Sequence, residues 1–254
     1  PFLDLLAEEG AHGVELAASL IWDEPIDSTS AQRREVRQMF ESRGLAITGL
    51  HALLFSRSDM QLLAEGEAGR QVVEYLKRTV DVCADLGGHC LVMGGSKNRL
   101  RGKLSVEEAN TRGAEVLREI GDYAASRDCY FSLEALPPPV CDFIMNLKES
   151  EDLVTLTASP GLRGHFDSGA ASVTEQDNDD AHILERLKKV AHCQVNDFEL
   201  AQPGSKTPEQ HQRWARLLNE AGYNGWIGIE MRRTGNPAET IPQAIRFVKE
   251  TYSI

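Results

Sequence analysis

Two hydrophobic rhythms take turns along this chain. Long amphipathic stretches repeat an apolar side chain every three or four positions, as one face of a helix requires. Between them lie short, almost continuous apolar runs. The clearest long stretch covers 67–86, where Val72, Val73, Leu76, Val80 and Cys83 form one stripe and Gly87-Gly88 ends it. A second covers Val106–Ser126, with Ser105 placed to cap it and Glu108 three residues on to complete a capping box. Helices are also expected at 4–9, at 29–43 (closed by Gly44), at 150–158, at 181–190 and at 237–252. One more should start at Pro208 and end at Gly222, with Thr207 as its cap and Gln210 three residues after the cap.

The short runs read as strands at Gly13–Ala17, 46–53, Cys90–Met93, 131–134, 164–167, 192–194 and 226–231. They are continuous rather than alternating, the pattern of parallel strands buried on both faces. Seven strands alternating with eight helical segments predict an α/β fold of parallel strands, a (β/α)8 TIM barrel forming one domain over 1–254. A length of 254 residues with 41% hydrophobic content suits such a barrel. A full set of eight strands would need one more before Pro1, so the first strand is expected to be missing from this chain.

Charge and cysteine content narrow the function classes. A net charge of −12 disfavours nucleic acid, whose phosphate backbone asks for a basic stripe. No apolar run approaches 18 residues, so no membrane span is expected. No basic and apolar leader opens the chain, and a cytoplasmic location is the expectation. The five cysteines, Cys83, Cys90, Cys129, Cys141 and Cys193, are odd in number and form no C-x-x-C pair. They are expected as buried free thiols.

Four of the short runs carry an oxygen donor at the same end: Glu134, Asp167, Gln194 and Glu230. Their spacing is about 33, 27 and 36 residues, close to one strand-plus-helix unit. A barrel gathers the C-terminal ends of its strands around one mouth, so these donors should converge. Three carboxylates and an amide oxygen suit one hard divalent cation, Mn²⁺ first, with Mg²⁺ or Co²⁺ as alternatives. A single Glu at a strand end is usually a surface residue; it is the regular recurrence that argues for a site. His51, near the end of the strand at 46–53, and Lys97 and Arg99, after the Gly94-Gly95 turn, are candidate substrate contacts. So is Asp197, just beyond Gln194. His165 and His192 share a strand face with Asp167 and Gln194 and are expected to pack deeper in the barrel.

The order of Ser132-Leu133-Glu134-Ala135-Leu136, His165-Phe166-Asp167-Ser168-Gly169, Gln194-Val195-Asn196-Asp197 and Gly225-Trp226-Ile227-Gly228-Ile229-Glu230 resembles the xylose isomerase-like barrel superfamily, in its sugar isomerase and epimerase branch. The resemblance spans nearly the whole chain. It implies a metal held on four successive strands by Glu134, Asp167, Gln194 and Glu230. Gln194 falls where many members place His and hydroxypyruvate isomerase-like members place Gln. Glu15 falls where the family has a structural Glu. Many epimerases carry Asp-x-x-His, and here Ala170 takes the His position, a departure from the tagatose 3-epimerase pattern.

The chemistry follows from the donors. A carbon beside a carbonyl is a weak acid, and a bound cation stabilises the enediolate left by its proton. Glu134 and Glu230, nearly opposite in strand order, are the candidate base and acid. The donors alone do not choose among epimerase, isomerase and dehydratase; the resemblance implies a metal-dependent isomerase or epimerase of a small sugar, ketose or keto-sugar, with homo-oligomers common in the family. The alternatives are a dehydratase of the inosose or dehydroshikimate type, an endonuclease IV-like phosphodiesterase, and a non-catalytic binding protein.

Overall fold

The computed structural model describes residues 2–252. Seven strands form one parallel sheet in chain order: β1 (Gly13–Ala17), β2 (Ala46–His51), β3 (Cys90–Met93), β4 (Tyr130–Leu133), β5 (Leu162–Asp167), β6 (Val190–Val195) and β7 (Ile227–Ile229). Each pairs in parallel with the next, so all seven C-terminal ends lie on one side. The connecting helices are α1 (Phe2–Glu8), α2 (Ser30–Glu41), α3 (Gly66–Leu86), α4 (Val106–Ser126), α5 (Leu147–Thr157), α6 (Ser168–Thr174), α7 (Asp180–Leu187), α8 (Pro208–Glu220) and α9 (Pro237–Thr251). This is a TIM barrel with one seam left open. Among the described residues β1 and β7 are not hydrogen-bonded to each other. A cavity of about 840 Å³ lies along the seam, bounded by Val14 of β1, Ile227 and Ile229 of β7, and Ile245 and Tyr252 at the α9 end.

The amphipathic stripes pack as their spacing requires. All five stripe residues of α3 are buried, and the helix ends at Gly87 in the left-handed conformation. The predicted Ser105–Glu108 capping box of α4 is present. The apolar interior divides in two. One cluster gathers β1–β4 with α3 and α4, and the other centres on Phe166 and the fully buried Trp214, whose rings meet edge to face at 5.4 Å. All five cysteines are free and buried. No helix among the described residues is long and apolar enough to cross a membrane.

Several boundaries differ from expectation. Val190, expected to close a helix, opens β6. The expected helix at 150–158 starts earlier, at Leu147, because Asn146 caps it through Glu149 N. The short α6, which no periodicity announced, begins directly after Asp167, whose side chain caps it. Thr207 does not cap α8: its hydroxyl donates to Asp197 Oδ1 instead. Only in the last case did a partner outside the local pattern decide the outcome.

Candidate active site

The parallel order carries four strand ends to one mouth. Glu134 follows β4, Asp167 ends β5, Gln194 sits one residue before the end of β6, and Glu230 follows β7. Register then levels them. Asp167 faces Gln194 across β5 and β6, and Val195 faces Ile229 across β6 and β7. Backbone pairing continues one step past two strands, with Glu134 N donating to Met93 O and Glu230 N to Val195 O, both at 3.3 Å. The outcome is that Glu134, Asp167 and Glu230 each offer a carboxylate oxygen, all within 4.8 Å of one another.

Two glycines make room for this. A β-carbon at Gly94 would lie 1.7 Å from Glu134 Oε2, so any other residue there would displace the carboxylate. A β-carbon at Gly169 would lie 2.0 Å from Asn196 Oδ1, and Asn196 Nδ2 in turn donates to Asp167 Oδ2 at 2.5 Å. The other oxygen of Asp167 accepts from Ala170 N at 2.7 Å. Ala170, which replaces the histidine of the Asp-x-x-His pattern, thus serves the site through its backbone.

The two buried carboxyls of this set, Glu134 and Asp167, resist ionisation. Burial, then the charges of Glu230 and Asp167, hold the Glu134 carboxyl well above its usual range, with the Arg99 guanidinium pulling the other way. Burial first and the Glu230 charge push Asp167 up to about 7, against the hydrogen bonds from Ala170 and Asn196. At this separation two unit charges repel by roughly 3 kcal/mol at an effective dielectric of 20. A divalent cation would cancel that repulsion. A fourth donor fits the same need: Gln194 Oε1 is buried beside the His165 imidazole and makes no well-formed hydrogen bond. An orphaned acceptor of this kind costs about 1–3 kcal/mol unless something binds it. Three carboxylate oxygens and one amide oxygen are the donor set of a hard divalent ion.

Behind Gln194 lies a second polar layer. Its Nε2 donates to Glu15 Oε1 at 2.6 Å, and His192 Nε2 stands 2.5 Å from Glu15 Oε2. Burial opposes ionisation of Glu15, but the His192 contact and charge outweigh it and leave the carboxyl below its usual range. His165 is also buried, 3.2 Å from Ser132 Oγ, with its ring 5.5 Å from that of His192. Burial and the His192 charge hold its imidazole well below the usual range. Both histidines sit inside the barrel, as their place on the strand face predicted.

The four expected substrate contacts separate. His51 joins the site: its Nδ1 lies 3.4 Å from Glu230 Oε1. Burial works against its charged form, but the Glu230 carboxylate and the Glu15 charge prevail and raise its pKa. Lys97 is exposed on the turn after β3. Arg99 is 1% exposed and its Nη1 donates to Glu134 O at 2.6 Å, so it grips the backbone under a cluster residue. Asp197 is equally buried and accepts from Ser205 Oγ at 3.1 Å, from Lys206 N at 2.8 Å and from Thr207 Oγ1. It ties down the loop before α8. Asn196 and Gly94 were not foreseen. Asn196 stands two residues after Gln194 and so on the same strand face, the one signal that could have found it.

Residues 3–251 match the family model described as xylose isomerase-like TIM barrel. Solved structures share the fold at low identity. A D-psicose 3-epimerase crystallised in the presence of D-fructose is 16% identical, with TM-score 0.82, over 100% of this chain and 93% of that one. A 3-keto-D-glucoside 4-epimerase from E. coli is 18% identical, with TM-score 0.81, over 98% and 95%. The IOLI protein with a bound zinc atom is 19% identical, with TM-score 0.72, over 98% and 89%. No curated protein matches the sequence.

Proposed function

This chain belongs to the xylose isomerase-like TIM-barrel family, and from that premise we propose that it is a divalent-metal-dependent isomerase or epimerase of a small sugar, ketose or keto-sugar. One observation carries the reading: carboxylate oxygens of Glu134, Asp167 and Glu230 lie within 4.8 Å of one another at the barrel mouth. Glu134, Asp167, Glu230 and Gln194 Oε1 would hold the ion, Mn²⁺ first, with Mg²⁺, Co²⁺ or the zinc named for the IOLI structure as alternatives. The bound cation would supply Lewis-acid stabilisation of the negative charge that develops on substrate oxygens.

The chain's own groups would move the proton. Glu134 and Glu230 reach the cluster from β4 and β7, separated by β5 and β6 in the sheet. A sugar between them would present opposite faces of one carbon to the two carboxylates. One would take the proton beside the carbonyl and the other would return it. Return to the opposite face gives an epimer, and return to the neighbouring carbon gives an isomer. His51, against Glu230 Oε1, would hold that carboxylate in place and contribute positive charge beside it. Arg99 would keep the Glu134 backbone from moving during the transfer. The names of the structural relatives, a 3-epimerase seen with D-fructose among them, support a ketose-sized substrate.

The test is proton NMR in D2O of a panel of ketoses, keto-acids and inososes with Mn²⁺-loaded protein. Deuterium entering a carbon beside a carbonyl, and absent with Glu134→Gln or Glu230→Gln, is the expected result. A dehydrated product would instead assign a lyase. No exchange across the panel, with the cation bound, would overturn the proposal.

A further inference from the structure

An amide offers oxygen at one end and hydrogen-bond donors at the other, and the two ends are alike in size. Gln194 could therefore present either end to the carboxylates at the mouth. Only the oxygen end serves a cation; the NH2 end would repel one. The choice is made on the far side of the side chain. Glu15 lies 179 positions away in sequence, on β1, and its Oε1 meets Gln194 Nε2 at 2.6 Å. Its other oxygen faces His192 Nε2 at 2.5 Å. An ionised carboxylate has nothing to donate, so it can face only the NH2 end of Gln194. The oxygen end is left pointing away from Glu15, buried, beside the His165 imidazole and without a well-formed hydrogen bond. Gln194 sits opposite Asp167 in the β5–β6 register, at the tier of the cluster.

We propose that Glu15 is a positioning residue that locks the Gln194 amide with its oxygen toward the cation site. The proposal rests on the metal-dependent reading above. It also accounts for a glutamine in place of a symmetric carboxylate at position 194: a glutamate there would face Glu15 charge to charge.

Two substitutions separate orientation from mere packing. Glu15→Leu removes the acceptor and frees the amide to turn. Mn²⁺ affinity by titration calorimetry should fall by about 10–100-fold, the usual cost of losing a group that orients a metal ligand. In the metal-free protein, the side-chain amide NMR signals of Gln194, assigned by their loss in Gln194→Glu, should move from hydrogen-bonded to free positions. The exchanged pair Glu15→Gln with Gln194→Glu should bind Mn²⁺ more tightly than Gln194→Glu alone. There the new amide can accept from His192 and donate to the new carboxylate. A purely structural Glu15 would not give this rescue.

Equal Mn²⁺ binding by folded Glu15→Leu protein, with unmoved Gln194 amide signals, would overturn the orientation role and leave the metal site standing. If Glu15→Leu does not fold, a folded exchanged pair that binds no better than Gln194→Glu alone would overturn it. If the wild-type protein binds no Mn²⁺, Mg²⁺, Co²⁺ or Zn²⁺, the metal site falls and the orientation role falls with it.

Discussion

Asp167 and Asp197 are both buried aspartates at the end of neighbouring strands, and their carboxyls are pushed in opposite directions. Burial and the Glu230 charge raise Asp167 to about 7. Asp197 is buried too, but hydrogen bonds from Thr207, Lys206 and Ser205 and the His211 charge overcome that and hold it below the usual range. The difference lies in their company. Asp197 faces donors that satisfy it fully. Asp167 shares its space with two other carboxyls, Glu134 and Glu230, and its own is only partly answered by Ala170 N and Asn196 Nδ2. Burial alone does not mark a functional carboxylate. A crowded set of carboxylates with shifted pKa values is the better pointer to a ligand site, because such shifts cluster where function needs them.

The strongest test of this contrast is Glu134→Gln, which removes one charge from the crowded set. Proton exchange should fall by about 10²–10⁴-fold, the range for losing a general acid or base. At alkaline pH, where Glu134 is driven to ionise, the same variant should raise the thermal midpoint of the metal-free protein, by calorimetry, because it relieves repulsion. A lowered midpoint would mean that the cluster is not strained. Asp167→Asn should follow with a 10–100-fold loss of Mn²⁺ affinity, read by calorimetric titration.

Asp197→Asn should do the reverse. It removes a charge that is fully answered, so stability should fall by about 1–3 kcal/mol in denaturant titration while Mn²⁺ affinity holds. A loss of metal affinity there would erase the distinction between the two aspartates.

The pH dependence is a smaller effect and has two opposite signs. Asp167 binds its proton more tightly folded than unfolded. In the metal-free protein its contribution to stability is therefore lost as pH rises from about 4 through about 7. Asp197 binds its proton less tightly folded, so its contribution is present above about 4 and lost below. Thermal midpoints across pH, with and without Mn²⁺, should show the first component disappear when the cation is bound. Lys97→Ala should change stability least, within about 0.5 kcal/mol, since the side chain is exposed. A rise in KM without loss of kcat would assign Lys97 to substrate.

The barrel was largely legible because its elements announce themselves locally. The α3 stripe, the Ser105 cap and the seven short apolar runs all appear, the runs with their ends shifted by a few residues. The acidic members of the site were legible for a related reason: parallel strands of regular spacing must deliver their ends to one mouth. What stayed hidden involved partners far apart in the chain. Arg99 looked like a loop cation free to meet substrate, yet it holds the Glu134 carbonyl. Asp197 looked like a site residue and anchors a loop.

By itself the sequence determined the alternation of elements, the fold class and the three carboxylates of the mouth, since periodicity and spacing are properties of neighbours along the chain. Only the tertiary structure decided which carboxylates crowd and which are satisfied, where the Thr207 hydroxyl goes, and which end of the Gln194 amide faces the site. Those depend on a few hydrogen bonds across the barrel, and directional contacts between distant residues leave no period in the sequence.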